Sequence, residues 1–158
     1  MKSKITEKIF DLIYTDSLTE TYNRNAYDDR LKKLRKQRVV LNNVTVAVVC
    51  VGNIKELKNS YGQHTADEAV KSTADTLQKT LGEQADIFRI NDDTFICIAD
   101  KNILSYVAQF IDYMRFENRD RTLKINASVG YGTFDKKQHK TIDDSIKDCE
   151  KKMCKSKK

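Results

Sequence analysis

A chain of 158 residues is long enough for one domain with a sizeable core, and 39% apolar against 33% charged residues is the balance of a soluble protein. Its longest apolar run, Val46 to Val51, is far too short to cross a bilayer, and Glu7, Lys8 and Asp11 interrupt the first apolar stretch, which excludes a signal-peptide core or a membrane anchor there; a cytoplasmic setting is expected. The net charge of +6 would suit nucleic acid, but residues 147–158 carry six lysines against Asp148 and Glu150, a net +4, with no interleaved aromatic or base-reading residues, so DNA is not an expected partner.

Residues 5–14 predict an amphipathic helix with Ile5, Ile9, Leu12 and Ile13 on one face. Residues 25–38 predict a second, in which Leu31 and Leu34 interrupt a cluster of basic side chains that forms a solvated face. The near-continuous apolar run 44–51 is expected of a central strand covered on both faces. A short helix over 54–58 is ended by Gly62, and Ala66, Ala69, Val70, Thr73, Ala74, Leu77 and Leu81 define a longer one stopped by Gly82. Residues 87–90 and 95–98 read as strands joined by a tight turn at Asn91, Asp92 and Asp93.

Ile103, Val107, Phe110, Ile111 and Met114 then form another helical stripe. Residues 123–134 read as a strand with Ile125, Ala127, Val129 and Tyr131 on one face, and the end of the chain reads as a closing helix. This order predicts an α/β (α+β) fold: a ferredoxin-like or palm-type split βαβ sheet, with helices packed mainly on one face. Cys50 and Cys97 sit in strand runs as small core residues, whereas Cys149 and Cys154, five apart on a helix, point to different faces and make no metal site by themselves. His64 and His139 have no partner pattern and are expected at the surface.

Three pieces of sequence carry a family resemblance. Asp16-Ser17-Leu18-Thr19 with Tyr22-Asn23-Arg24 is similar to the entry motif DxLTGLxNR of the GGDEF family, with Glu20 in place of glycine. Residues 54–67 are similar to the family segment FKxINDxxGHxxGD, and residues 149–157 to ADxALYxAK. At the signature Gly-Gly-Asp-Glu-Phe stand Asn91, Asp92, Asp93, Thr94 and Phe95. The resemblance spans residues 16 to 157 and implies a palm-like GGDEF domain over 15–158, preceded by a lead-in helix over 1–14 like the signalling helix that joins such domains to sensors. For the entry motif the structural reading suffices: Asp16 or Ser17 caps a turn, Leu18 and Tyr22 plug the core, and Asn23 caps the next helix.

Active members of the family are diguanylate cyclases, whose chemistry needs divalent metal held by clustered carboxylates. Here Cys50 and Gly52 replace the family's strand aspartates, and Thr94 replaces the signature glutamate. A thiol is a soft ligand that suits magnesium poorly. Asn91 and Asp92 replace the two glycines that let phosphate approach the backbone, and Asp92 adds negative charge where a triphosphate would lie. Asp93 is the one candidate metal ligand left, and a turn that favours Asn and Asp accounts for it without a metal.

At the positions that read guanine stand Lys58 and Asp67; Asp67 equally suits a first-turn helix position favoured by the dipole. Lys55 and Lys157 align with phosphate-holding lysines. Residues 81–86 lack the arginine of the family's RxxD inhibitory motif, so cyclic di-GMP is not expected to bind there. The expected function is a catalytically inactive regulatory or interaction module in bacterial cyclic di-GMP signalling, without cofactor and without a metal site. Its expected partner is a protein or sensor domain, and a homodimer is compatible with this reading. The alternative is an enzyme that binds GTP or another nucleoside triphosphate weakly and hydrolyses or cyclises it at the remnant site, with magnesium if the site still takes nucleotide.

Overall fold

The computed structural model describes residues 3–37 and 41–157; the expected helix end at Arg38, the first two residues of the lead-in and Lys158 of the tail lie outside them. Ser3 accepts the Thr6 amide to cap α1 (Lys4–Tyr14), and Asn23 accepts the Ala26 amide to cap α2 (Arg24–Lys36). Strand β1 (Thr45–Val51) leads into α3 (Ile54–Tyr61) and α4 (Gln63–Leu81). Gly62 separates these helices at φ +95°, a conformation glycine takes without a Cβ penalty, so the chain reorients in one residue.

The hairpin strands β2 (Asp86–Arg89) and β3 (Thr94–Ala99) precede α5 (Leu104–Asp120), β4 (Ala127–Thr133) and α6 (Ile142–Ser156), the last opened by a capping box of Thr141 and Asp144. The sheet order is β2-β3-β1-β4, and every neighbouring pair is antiparallel. This is the split βαβ arrangement expected from the element order.

Every residue of β1 is buried, and alternate residues enter different cores. Ala47, Val49 and Val51 join Phe95 and Cys97 under α3, α4 and α5, whereas Val46, Val48 and Cys50 join Ile96 and Ile98 under α2 and α6. Helices therefore cover both faces, and the expectation of packing mainly on one face is corrected. The unbroken apolar run of β1 is the physical reason, because a strand with one wet face would alternate. At Gly130 an added Cβ would lie 1.9 Å from the Cys149 carbonyl oxygen, so glycine is what lets α6 lie flat on β4.

Two further expectations change. Strand β4 starts at Ala127 rather than 123, because the preceding backbone bonds to side chains: Asn118 pairs with both groups of Ile125, and Asn53 takes the Asn126 amide. His139 is buried, not superficial. Its Nδ1 accepts the Asp135 amide at 3.0 Å, its ring leans on Phe134, and its Nε2 lies 3.5 Å from Asp148. Helix α1 forms where periodicity places it but buries none of its residues, with Ile5 71% and Leu12 81% exposed.

Candidate functional site

Strands β1 and β3 end together. Val51 donates its amide to the Asp93 carbonyl at 2.8 Å. By antiparallel alternation Cys50 and Thr94, which are opposite in register, are then a non-hydrogen-bonded pair whose side chains stand close on one face. The Thr94 hydroxyl donates to Asp93 Oδ1 at 2.8 Å. Lys157, just past α6, comes to the same corner, where it interacts with the Cys50 thiol. Burial pushes that thiol above its ordinary value and the Asp93 charge adds to the effect; Lys157 and Thr94 oppose both without cancelling them. The thiol is therefore protonated at neutral pH.

The turn itself is held from two sides. Asn91 Oδ1 accepts the Asp93 amide at 3.2 Å, an Asx turn, and Arg89 donates to the Asp92 carbonyl at 3.0 Å. The same guanidinium reaches Asp16 at 3.1 Å, and Asp16 Oδ2 also accepts the amide and hydroxyl of Thr19 at 3.0 and 2.8 Å. Burial raises the Asp16 carboxyl, but the Thr19 bonds and Arg89 outweigh it and hold it below its ordinary value. The entry segment thus caps its own turn through Asp16, as expected. Leu18 packs against the core, whereas Tyr22 stays 39% exposed and lies on Phe88.

A cleft of about 750 Å³ opens between this turn and helices α3 and α4. It brings Lys55, Lys58 and Asp67 together with Asn91, Asp92 and Asp93, while Arg89 and Gly52 also line it. Lys157 does not line the cleft; it belongs with Cys50 at the strand ends. Asp67 is the fifth residue of α4, so it stands in the second turn, not the first, and the dipole account does not apply to it. A neighbour one turn back holds it instead, with Gln63 Nε2 donating to Oδ1 at 2.7 Å. Phe95 is fully buried and serves packing.

Two participants escaped the sequence reading. Gln63 was signalled by its i,i+4 spacing from Asp67 on one helix. The pairing of Arg89 with Asp16 spans 73 positions and had no local signal.

The donor set can be tested against a magnesium ion. Gly52 offers no side chain, Cys50 offers a protonated soft atom, and one oxygen of Asp93 is engaged by Thr94. Among the described residues no group of three or more His, Cys, Asp or Glu side chains is placed to hold a metal. These residues do not fit the ion.

The family model for the GGDEF domain of diguanylate cyclases matches residues 13–158. Diguanylate cyclase DgcS of Shewanella oneidensis is 32% identical over 90 residues, 56% of this chain but 30% of that relative, so the chain spans under a third of its length. Among solved structures, the coiled coil and GGDEF domain of DgcB from Caulobacter crescentus, in complex with c-di-GMP, superposes with TM-score 0.82 at 20% identity, covering 96% of this chain and 84% of that one. The FimX GGDEF domain of Pseudomonas aeruginosa gives 0.75 at 18% identity, covering 90% and 93%. Diguanylate cyclase SiaD, solved with its activator SiaC from the same organism, gives 0.77 at 17% identity over 97% and 61%. With a family match over nearly its whole length and a sheet that carries the signature turn at the β2–β3 hairpin, the chain belongs to the GGDEF domain family.

Proposed function

We propose that this chain is a GGDEF domain without cyclase activity that acts as a regulatory or interaction module in cyclic di-GMP signalling. The observation that carries the reading is the Cys50–Thr94 pair. Two positions that face each other across the β1–β3 ladder, where carboxylates would share an ion, hold a protonated thiol and a hydroxyl already committed to Asp93. Joining two nucleoside triphosphates needs that ion to neutralise phosphate and to activate the attacking hydroxyl. The intact scaffold around the missing donors supports a role in recognition. Helix α1, with its exposed apolar face, is the lead-in by which the domain attaches to a sensor domain or meets a second copy. The complex of SiaD with its activator supports a protein partner for a domain of this fold.

A second reading rests on the cleft, where Lys55 and Lys58 of α3 stand beside Asp67. Two lysines and a held carboxylate favour weak, metal-independent binding of a nucleotide, opposed by Asp92 and Asp93.

Calorimetric titration with GTP, ATP and cyclic di-GMP, each with and without magnesium, separates the readings. The expected result is affinity no better than about millimolar, unchanged by magnesium and weakened by salt, because exposed charges are screened over about 8 to 10 Å. Micromolar, salt-resistant GTP binding that disappears in Asp67→Ala would overturn the module in favour of a nucleotide-processing enzyme.

A further inference from the structure

Strand β4 closes the sheet on the side away from the hairpin, with β1 as its one neighbour among the described residues. Its backbone bonding alternates. Gly52 donates to Asn126 O and Phe134 donates to Val44 O, so in this register residues 126, 128, 130, 132 and 134 turn their amides and carbonyls toward β1. Ala127, Val129, Tyr131 and Thr133 turn theirs outward. Among the described residues none of these outward groups has a hydrogen-bond partner, and none of the four side chains is fully buried. Edge strands are usually blunted by charge, proline or a bulge. This one, Ala-Ser-Val-Gly-Tyr-Gly-Thr, has no charge and no proline, and its pairing with β1 runs in unbroken register.

Beside the edge runs a groove of about 200 Å³, floored by Phe110, Ile111 and Met114 of α5 and by Ala127 and Val129. It lies on the face toward which an added strand would point every second side chain. The flanks are basic. Arg115 lines the groove, Lys152 stands 3.3 Å from where a Cβ on Gly132 would be, and Lys155 follows one turn along on α6. Asp148 offsets Lys152 at 3.3 Å, and Asp112 lies 3.9 Å from Arg115 in an exposed pair that holds it only weakly, so three cations against two carboxylates, with Lys155 the third cation, leave the edge net basic.

From this geometry we propose that the β4 edge is a docking site for an extended segment of a partner protein, which adds as a fifth strand. That segment has apolar side chains at alternate positions for the α5 groove and acidic residues at its ends. Main-chain bonds to the outward groups supply affinity, and alternate side chains supply specificity. A second copy is the poorer occupant, because pairing β4 antiparallel with itself would set Arg115, near Ala127, toward Lys152, near Gly132, of the other protomer, basic flank against basic flank.

The test uses the whole isotope-labelled chain and two synthetic peptides. Both have a seven-residue core of alternating valine and threonine, matching the seven residues of β4; one is flanked by Asp-Glu pairs, the other by Lys-Lys pairs. The acidic-flanked peptide is expected to slow hydrogen exchange at the amides of Val129 and Tyr131 by at least about tenfold, whereas the lysine-flanked one leaves them unchanged. Tyr131→Pro removes an outward amide and no ladder bond, so it is expected to fold and to lose the peptide. Arg115→Glu with Lys155→Glu is expected to weaken the acidic peptide about tenfold and leave the far-ultraviolet spectrum unchanged. Unaltered exchange at both amides under millimolar acidic peptide would overturn the proposal, and so would equal binding of the two peptides. Protection that rises with protein concentration alone, and vanishes in Tyr131→Pro, would overturn it in favour of a second copy.

Discussion

Two corners of the signature hairpin have been treated differently. At the entry corner Asp16, Thr19 and Arg89 form a connected set of charged hydrogen bonds that ties the segment before α2 to the turn. At the strand-end corner, on the β1 side, Cys50 and Thr94 keep the pairing geometry, and positions 50, 52 and 94 carry no carboxylate. The first corner holds the turn in place; the second, in the proposed reading, takes no ion. A fold can keep the former without the latter because backbone register depends on burial and hydrogen bonding, whereas metal affinity depends on which atoms end two or three side chains.

The entry corner depends most on Asp16. Replacing it with alanine strips four hydrogen bonds, two from Thr19 and two from Arg89, and leaves Arg89, 15% exposed at its side chain, without its counter-charge, at an expected cost of about 3 kcal/mol in chemical denaturation. The pH dependence has a definite sign. Because the folded carboxyl titrates below its unfolded value, its contribution is complete above about pH 4 and is lost as pH falls through the lower folded value. A wild-type acid titration in which the Asp16→Ala variant shows the same slope below pH 4 would remove this corner from the account.

At the other corner Cys50→Asp with Thr94→Glu restores two donors that face the same way across the ladder. Magnesium-dependent GTP affinity is expected to rise about tenfold or more in the double variant. Each single change should give much less, with a coupling of about 1 kcal/mol, because two ligands of one ion do not act independently. Strict additivity by calorimetry would mean that the two positions share no ion.

The smallest expected effect returns to the entry segment. Glu20 sits at φ +60°, the conformation for which the family motif keeps glycine. Glu20→Gly removes the Cβ penalty but loosens the unfolded chain, so a net gain of about 0.5 kcal/mol is expected in thermal or urea unfolding. A loss would show that the Glu20 side chain contributes more than its backbone costs.

Much of the fold was legible because its signals are local. The apolar run of β1, the Asn-Asp-Asp turn and the stripe of α4 each follow from periodicity or turn chemistry. Even the two-sided covering of the sheet was present in β1, although the element order alone suggested one face. What did not show were contacts without a recognisable spacing. The Phe134, Asp135 and Asp148 partners of His139 lie within nine positions but form no motif, and α1 carries the same amphipathic pattern as α4 although none of its described residues is buried. At the site, residue identity alone shows that positions 50, 52 and 94 carry no carboxylate. The division of the four basic and acidic candidates between a cleft and the strand ends could not, since Lys157 reaches Cys50 only through the direction of α6.

In the proposed reading the strand-end corner holds no ion of the kind cyclisation requires. Incubating the purified chain with GTP and magnesium and measuring cyclic di-GMP by mass spectrometry tests it most directly. No product above the protein-free control is predicted, because Cys50, Gly52 and Thr94 offer a thiol, no side chain and a hydroxyl where the proposed reading needs carboxylates. Clear product from the wild-type chain, absent from an Asp93→Ala variant, would contradict it.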